Sequence, residues 1–485
     1  MIRFVPDWLR RAAALDPGRT AVIAAGARWS YGELDTRCDA AAVRLLALGV
    51  RPADQVALLA RNVPDAVVLV HALRRIGAVL VPIHPRSTAD EIAWQLADSG
   101  ARLVFHDEPH AVAAETVAAR VDGAQARPLG ALAAGPARPA RLRERVDLSA
   151  PQGLLYTSGT TGRPKGVLLS HGNHWWSAVG SGLRLGVHQD DRWLVLLPLA
   201  HIGGLAVVLR AAMGATAIVL QEGFDPAETD AALDEHRVSV VSVVEDILRR
   251  MLEARGARPF PPTLRCVLLG GGPAGDPLLA ACAQRDLPVT RTYGLTEAAS
   301  QVATQGPGEG LRDRATCGVP LAMTEVRIER DGRTAGADEE GKILVRGPTV
   351  MLRYAGDPEA TARALDRGWL RTGDVGRLDA RGRLAVLDRR DALIRSGGEK
   401  ISPAEIERVL GTHPAVAEAL VSGVAHDRWG QVPEARVVLR AGAIADEVEL
   451  LAHCRRSLAA FKVPVRIRVV PGLPHGPGGK LLRPS

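Results

Sequence analysis

The chain has 485 residues, 47% hydrophobic and 24% charged, with a net charge of +7 and a mean hydropathy of +0.03. That composition belongs to a soluble globular protein and excludes disorder, collagen-like repeats and a disulfide scaffold, while the length implies two or three domains. The basic residues are spread along the chain and aromatics make up only 4%, so the charge describes a solvated surface rather than a nucleic-acid footprint.

The N-terminus, MIRFVPDWLRRAAALDP, lacks the apolar core of about 7–15 residues that a signal peptide needs. Asp35 to Leu48 has the spacing of an amphipathic helix and Val56 to Leu59 that of a strand. Asp65 to Ile76 is again helical and Ala78 to Val81 again a strand. This alternation predicts an α/β fold with a largely parallel sheet. From about Ala111 to Pro151 the sequence is rich in Ala, Arg, Pro and Gly and weakly patterned, as expected of an exposed connection. The most apolar stretch, Leu194 to Leu220, is interrupted by Pro198, His201, Gly203, Gly204 and Arg210, so it offers no uncharged membrane span of about 20 residues. Glu325 to Leu387 carries short strands and turns and predicts a β-rich subdomain; beyond Asp391 the pattern returns to α plus β. The expected architecture is a large α/β N-terminal domain of several subdomains over 1–387, a hinge at 388–391 and a small mobile α+β lid domain over 392–485. The five cysteines, Cys38, Cys266, Cys282, Cys317 and Cys454, stand singly and read as reduced thiols of a cytoplasmic protein.

Only five of the 61 basic residues are lysines: Lys165, Lys342, Lys400, Lys462 and Lys480. A lysine kept in so arginine-rich a chain hints that a compact ammonium is required. Lys165 ends the strongest motif, Leu154-Leu-Tyr-Thr-Ser-Gly-Thr-Thr-Gly-Arg-Pro-Lys-Gly-Val-Leu-Leu-Ser-His171, in which two apolar runs flank a loop of hydroxyls and glycines. Glycines let backbone N–H groups approach a phosphate, and the hydroxyls add donors. Lys165 is followed by Gly166 and a strand rather than by Ser or Thr and a helix, so this is not a Walker A loop.

The segment TSGTTGRPKG resembles that of the adenylate-forming superfamily, which comprises acyl- and aryl-CoA ligases, adenylation domains and luciferases. Further motifs follow in the family's order: Tyr293-Gly-Leu-Thr-Glu297, Leu370-Arg-Thr-Gly-Asp374, Asp388-Arg-Arg-Asp391, Ser396-Gly-Gly-Glu-Lys-Ile-Ser-Pro-Ala-Glu-Ile-Glu407 and Gly478-Gly-Lys480. The resemblance implies an acid–thiol ligase acting through an acyl-adenylate, with ATP, Mg²⁺ and coenzyme A. It assigns Thr157, Ser158, Gly159, Thr160, Thr161, Gly162 and Lys165 to the β- and γ-phosphates, Thr296 to the α-phosphate and Glu297 to Mg²⁺. Tyr293 with Gly294 would take the adenine, Gly270, Gly271 and Gly272 its close approach, and Asp374 the ribose hydroxyls. Arg389 matches the arginine before the hinge and Asp391 the hinge itself. Lys480 would bridge the attacking carboxylate and the α-phosphate from the small domain, which in this family rotates between half-reactions to present Gly397 and Gly398 to the thiol. Lys400 on that loop contacts the thiol donor, contacts the adenylate or is solvated.

The stretch Leu197-Pro-Leu-Ala-His-Ile-Gly-Gly204 has His201 and no acid to pair a substrate ammonium, and the loop after the hinge looks like that of CoA ligases. Within the superfamily, Pro6-Asp-Trp-Leu-Arg-Arg-Ala, PLAHIGGLAVVLR, Tyr293-Gly-Leu-Thr-Glu-Ala-Ala-Ser-Gln-Val302 and LDRRDALIRSGGEKISPAEIE resemble the 2-succinylbenzoate–CoA ligases of menaquinone synthesis. The partners implied are an aromatic dicarboxylate and CoA, with no nucleic acid and no membrane insertion; a homodimer is allowed. His201, Arg210, Ala298, Ser300 and Gln301 form the expected acid-binding set, with His201 also in the catalytic set beside Lys480, Thr296 and Glu297. Arg210 either meets the second carboxylate of the acid, pairs with a protein carboxylate or snorkels to solvent. The alternatives are another aryl- or medium-chain acyl-CoA ligase and a non-catalytic adenylate-binding protein.

Overall fold

The computed structural model describes residues 2–133, 142–157, 164–272, 276–389 and 393–474. Its contacts divide the chain into two compact units, one of Met1–Pro85, Leu96–Leu155 and Gly166–Asp388, the other of Arg86–Gln95, Tyr156–Lys165 and Arg389–Ser485.

Two large sheets form most of the first unit. Their central strands, such as Val79–Ile83, Ala217–Leu220, Val240–Val243 and Cys266–Leu269, are buried at every position. Continuous apolar runs of this kind suit parallel strands covered on both faces. A seven-stranded sheet runs Arg353–Tyr354, Lys165–Ser170, Pro151–Thr157, Val79–Ile83, Gln55–Leu59, Leu103–His106, Gln125–Pro128. Its register is parallel around Gln55–Leu59, with Val56 opposite both Leu80 and Leu103. A nine-stranded sheet is parallel from Thr20–Ala24 through Val289–Leu295 and antiparallel at both ends. The β-rich subdomain is a six-stranded sheet in which Gly341–Arg346 lies between Glu325–Arg330 and Trp369–Leu378.

The helix expected from Asp35 begins at Tyr31, because Ser30 and Glu33 make a reciprocal capping box: the Glu33 amide donates to Ser30 Oγ at 3.2 Å and the Ser30 amide to Glu33 Oε2 at 2.7 Å. The region from Ala111 is a correction. Rather than a bare connection it holds the helix Ala111–Ala118, the sheet-edge strand Gln125–Pro128 and the strand Arg145–Asp147 paired with Phe4–Pro6. Alanine serves both faces of a helix, so its periodicity is invisible in composition. The apolar stretch from Leu194 becomes the end of a strand, the 13-residue helix Ile202–Gly214 and the strand Ala217–Leu220. Among the described residues no helix is long and apolar enough to cross a membrane.

Asp7 anchors the N-terminal segment. It caps the helix Trp8–Leu15 and takes Arg74 through two oxygens, Nη2 to Oδ1 at 2.9 Å and Nε to Oδ2 at 3.2 Å, both side chains 2% exposed. Burial pushes the Asp7 carboxyl up, but the charges of Arg74 and Arg75 and the Arg10 amide outweigh it and hold it at about 2.

The second unit has a five-stranded sheet, Glu399–Ile401, Ile394–Ser396, Gly430–Leu439 and Val416–His426 in order, with Arg466–Val469 parallel to Gly430–Leu439. Helices Pro403–Gly411 and Glu447–Ser457 pack over a core that includes Ile401, Ile406, Val437, Leu450 and Ile467.

Candidate active site

In the first unit the polar site is organised by a hairpin. Strands Val289–Leu295 and Ser300–Thr304 are joined by a 3₁₀ turn, Thr296–Ala298. The turn closes through two non-glycine residues with left-handed backbone, Ala299 (φ 51°) and Ser300 (φ 101°), a conformation that costs of order 1–3 kcal/mol per residue and is held only by its surroundings. Gly294 is required on the facing strand: a Cβ there would lie 1.9 Å from the Ser300 carbonyl oxygen.

The hairpin carries Tyr293 and Glu297 in opposite roles. The Tyr293 hydroxyl donates to Asp374 Oδ2 at 2.6 Å, and Asp374 is 7% exposed on the strand Trp369–Leu378. A carboxylate offers about four acceptor positions in all. Glu297 is half-buried; its Oε1 accepts from the Tyr354 hydroxyl at 2.9 Å and its backbone carbonyl from the Met351 amide at 2.8 Å. Among the described residues Oε2 has no hydrogen-bond partner. One carboxylate oxygen beside substrate phosphates is the donor set that Mg²⁺ takes, so the residues present fit that ion. Gly270, Gly271 and Gly272 follow the buried strand Cys266–Leu269, the last two exposed.

A second cluster lies between helices His171–Leu185 and Ile202–Gly214. Arg210 is 8% exposed, and among the described residues no carboxylate reaches it. Its Nη2 donates to Ser177 Oγ at 3.1 Å, Ser177 in turn donates to the Ala299 carbonyl at 2.7 Å, and among the described residues Arg210 Nε has no partner. Burial lowers the Arg210 guanidinium to about 10. His174 is buried as well, its Nε2 unpartnered among the described residues; burial, and after it the charge of Arg210, lowers its imidazole to about 3. Gln301 is 2% exposed and donates to Thr304 Oγ1 at 3.0 Å, and among the described residues its Oε1 has no partner. Ala298 is fully buried and Ser300 half-buried. His201 is the exposed N-cap of the helix that carries Arg210, its ring centroid 5.2 Å from that of His84.

In the second unit, Thr157 and Lys165 stand at the two strand ends that flank the hydroxyl loop, with Thr157 Oγ1 donating to the Lys165 carbonyl at 3.5 Å. Gly397 (φ 56°) and Gly398 (φ 87°) turn the hairpin Ile394–Ser396/Glu399–Ile401, and a Cβ at Gly397 would press to 2.8 Å on the Trp429 ring. Lys400 is half-buried on the second strand of that hairpin. Arg389 ends the strand Leu384–Arg389. Ser158, Gly159, Thr160, Thr161, Gly162, Asp391 and Lys480 lie outside the described residues.

Three residues of these clusters have no counterpart in the sequence motifs: His174, Ser177 and Tyr354. The signal for the first two is a polar stripe on the buried face of one helix, His171, His174, Ser177 and Ser181, at spacings that place them on neighbouring turns. Tyr354 has no such signal.

A model of the AMP-binding enzyme family matches residues 9–355, and a model of the AMP-binding enzyme C-terminal domain matches residues 405–480. A 2-succinylbenzoate–CoA ligase of Geobacillus kaustophilus is 46% identical over 480 residues, covering 99% of this chain and 96% of that protein. Among solved structures, o-succinylbenzoate CoA synthetase of Bacillus subtilis bound to its product analogue OSB-NCoA is 38% identical, with a TM-score of 0.94 over 99% of this chain and 97% of the other. The same B. subtilis protein in complex with the acyl-adenylate intermediate OSB-AMP covers 99% of this chain and 98% of the other. Its complex with ATP and magnesium ion covers 99% of both, and each superposes with a TM-score of 0.77 and 38% identity.

Proposed function

The chain belongs to the AMP-binding enzyme family, and from that premise we propose that it is a cytoplasmic, AMP-forming 2-succinylbenzoate–CoA ligase. Its acceptor is free coenzyme A, and its work is a step of menaquinone synthesis. In the first half-reaction a carboxylate oxygen of the acid attacks the α-phosphorus of ATP; the bond to the bridging oxygen breaks and pyrophosphate leaves. In the second, the CoA sulfur attacks the acyl carbonyl, the C–S bond forms and AMP departs with the electrons of the C–O bond, while the thiol proton passes to water.

The chain's own side chains position and stabilise these steps. Asp374 receives the ribose hydroxyls with its orientation set by the Tyr293 hydroxyl, and the Tyr293 ring lies along the adenine. Thr157, the hydroxyl loop and Lys165 hold the β- and γ-phosphates, and Thr296 the α-phosphate. Glu297 holds Mg²⁺, which when bound offsets the charge that gathers on the phosphate oxygens. Lys480 brings an ammonium to the two anions of the first half-reaction, and the Gly397–Gly398 turn with Lys400 serves the thiol. The sequence before Lys480, GPGGK, and the hinge residue Asp391 enter this reading through the family motifs.

One observation carries the substrate assignment: Arg210 is a buried cation with no carboxylate among the described residues and an unpartnered Nε. A charge so placed is costly unless an anion joins it, and the second carboxylate of a dicarboxylic acid is that anion. Ser177 accepts from the guanidinium and fixes it in place, and His174, buried on the same helix as Ser177, stays neutral beside that charge. The test is release of pyrophosphate and AMP with ATP, Mg²⁺ and CoA across 2-succinylbenzoate, benzoate, 4-coumarate, hexanoate and amino acids. Turnover confined to 2-succinylbenzoate supports the reading. Comparable turnover of the monocarboxylates keeps the ligase chemistry and removes the substrate.

A further inference from the structure

Tyr354 belongs to none of the nucleotide motifs, yet its hydroxyl is the group that meets the Glu297 carboxylate, at 2.9 Å from Oε1. The segment around it grips the same residue twice, since the Met351 amide donates to the Glu297 carbonyl at 2.8 Å. It also grips the strand that leaves the hydroxyl loop. Tyr354 lies opposite Val167 in antiparallel register, the Leu352 amide donates to the Leu168 carbonyl at 3.0 Å and the Ala355 amide to the Gly166 carbonyl at 2.8 Å. Asn173 holds the segment from the other side, its Nδ2 donating to the Pro348 and Val350 carbonyls at 2.8 Å each. The Tyr354 ring is 8% exposed within the main hydrophobic core, and its amide donates to Thr361 Oγ1 at 3.0 Å. The phenol therefore cannot swing away without breaking core packing.

This arrangement is more than a buried hydroxyl finding an acceptor. A glutamate side chain has three rotatable bonds, and its carboxylate needs a fixed partner to hold one orientation. A donor fixed in the core selects one, engages Oε1 and leaves Oε2 for a cation. The geometry points to Tyr354 as a positioning residue for the metal site: its hydroxyl orients Glu297 and ties the metal-binding carboxylate to the strand that follows the phosphate loop. The inference rests on the reading of Glu297 as the Mg²⁺ ligand. Groups that orient a ligating carboxylate typically change metal affinity by about 10–100-fold when removed.

Mn²⁺ provides a direct readout, being a hard cation with the same preference for oxygen ligands and visible by electron paramagnetic resonance. Its affinity would be measured on the full chain in the presence of α,β-methylene-ATP for the wild type, Tyr354→Phe, Glu297→Gln and the double variant. Phenylalanine retains the ring that fills the core. The expected result is a loss of about 10–100-fold for Tyr354→Phe, with the double variant no weaker than Glu297→Gln. AMP binding without metal, which draws on Asp374 and Tyr293, should stay within twofold. Unchanged Mn²⁺ affinity in Tyr354→Phe beside a clear loss in Glu297→Gln would overturn the role of Tyr354 and leave Glu297 as the ligand. No loss in Glu297→Gln would overturn both. Equal weakening of AMP and Mn²⁺ in Tyr354→Phe would also refute the positioning role, since it would mark general damage to the site. If Tyr354→Phe does not fold, Glu297→Asp tests the same contact by withdrawing the carboxylate one methylene from the phenol. It is expected to lose Mn²⁺ affinity to the same degree, and wild-type affinity there would refute the inference.

Discussion

Replacing Arg210 with methionine should separate stability from function in opposite directions. The guanidinium is 8% exposed, donates to the Ser177 hydroxyl and has no carboxylate among the described residues. Its pKa is depressed by burial from 12.5 to about 10, which corresponds to roughly 3 kcal/mol of burial cost, with no carboxylate among the described residues to offset it. Methionine fills a similar volume without that charge. The lost hydrogen bond to Ser177 offsets about 1–2 kcal/mol of the gain, so Arg210→Met should leave the unliganded protein as stable as the wild type or more so. Binding of the dicarboxylate should suffer, because a buried anion then has no cation. A loss of 2–5 kcal/mol, about 30- to 5,000-fold in kcat/KM, is the expected range, with little change for a monocarboxylate of similar size. Chemical denaturation of the free protein and steady-state pyrophosphate release on both acids measure the two effects. A variant that is several kcal/mol less stable and loses both acids equally would refute the reasoning and make Arg210 a structural residue.

Acid should destabilise the fold through its buried imidazoles. Burial first and the Arg210 charge second hold His174 at about 3, and burial, followed by Arg74, holds His71 and His171 well below 6.5. Unfolding lets each take a proton near pH 6.5. Between pH 6.5 and 3 the unfolded chain therefore binds protons that the folded chain does not, and stability falls as pH falls, by up to about 1.4 kcal/mol per pH unit per histidine. Asp7, held at about 2, keeps its pairing through this window. Denaturation midpoints from pH 7 to 4.5 should decline steeply, and His174→Gln should flatten the slope by one proton; an unchanged slope would contradict the assignment. Lys480→Ala should abolish formation of the adenylate while leaving thioester formation from supplied 2-succinylbenzoyl-AMP largely intact in single-turnover assays. Equal loss in both half-reactions would remove its assigned role.

The parallel strands Gln55–Leu59 and Val79–Ile83 were legible because burial on both faces demands unbroken apolar runs. The helix at Pro64–Ile76 was read from Asp65 to Ile76, and the structure buries it at every position from Ala66 onward. The Ala111–Ala118 helix was not, since an alanine-rich segment carries no period. The nucleotide motifs stand out because each is a local run with unusual glycine, hydroxyl or lysine content. Arg210 stood out for the opposite reason, a charge inside an apolar stretch, but its surroundings could not be read there. Ser177 lies 33 positions before Arg210 and 122 before Ala299, and only tertiary packing brings the three together. Tyr354 is 57 positions from Glu297 and sits among ordinary turn residues. Ser177 at least belongs to a polar stripe on its helix, whereas the Tyr354 hydroxyl carries no such signal and only the structure displays it.

The most direct test of the account compares 2-succinylbenzoate with its half-ester, in which the carboxylate that does not react is capped as the methyl ester. The ring, the ketone and the reacting carboxylate are unchanged, and only the charge that Arg210 would receive is removed. Capping should lower kcat/KM by at least about 30-fold in the wild type, with no such difference between the two acids in Arg210→Met. Equal turnover of the acid and its half-ester by the wild type would contradict it.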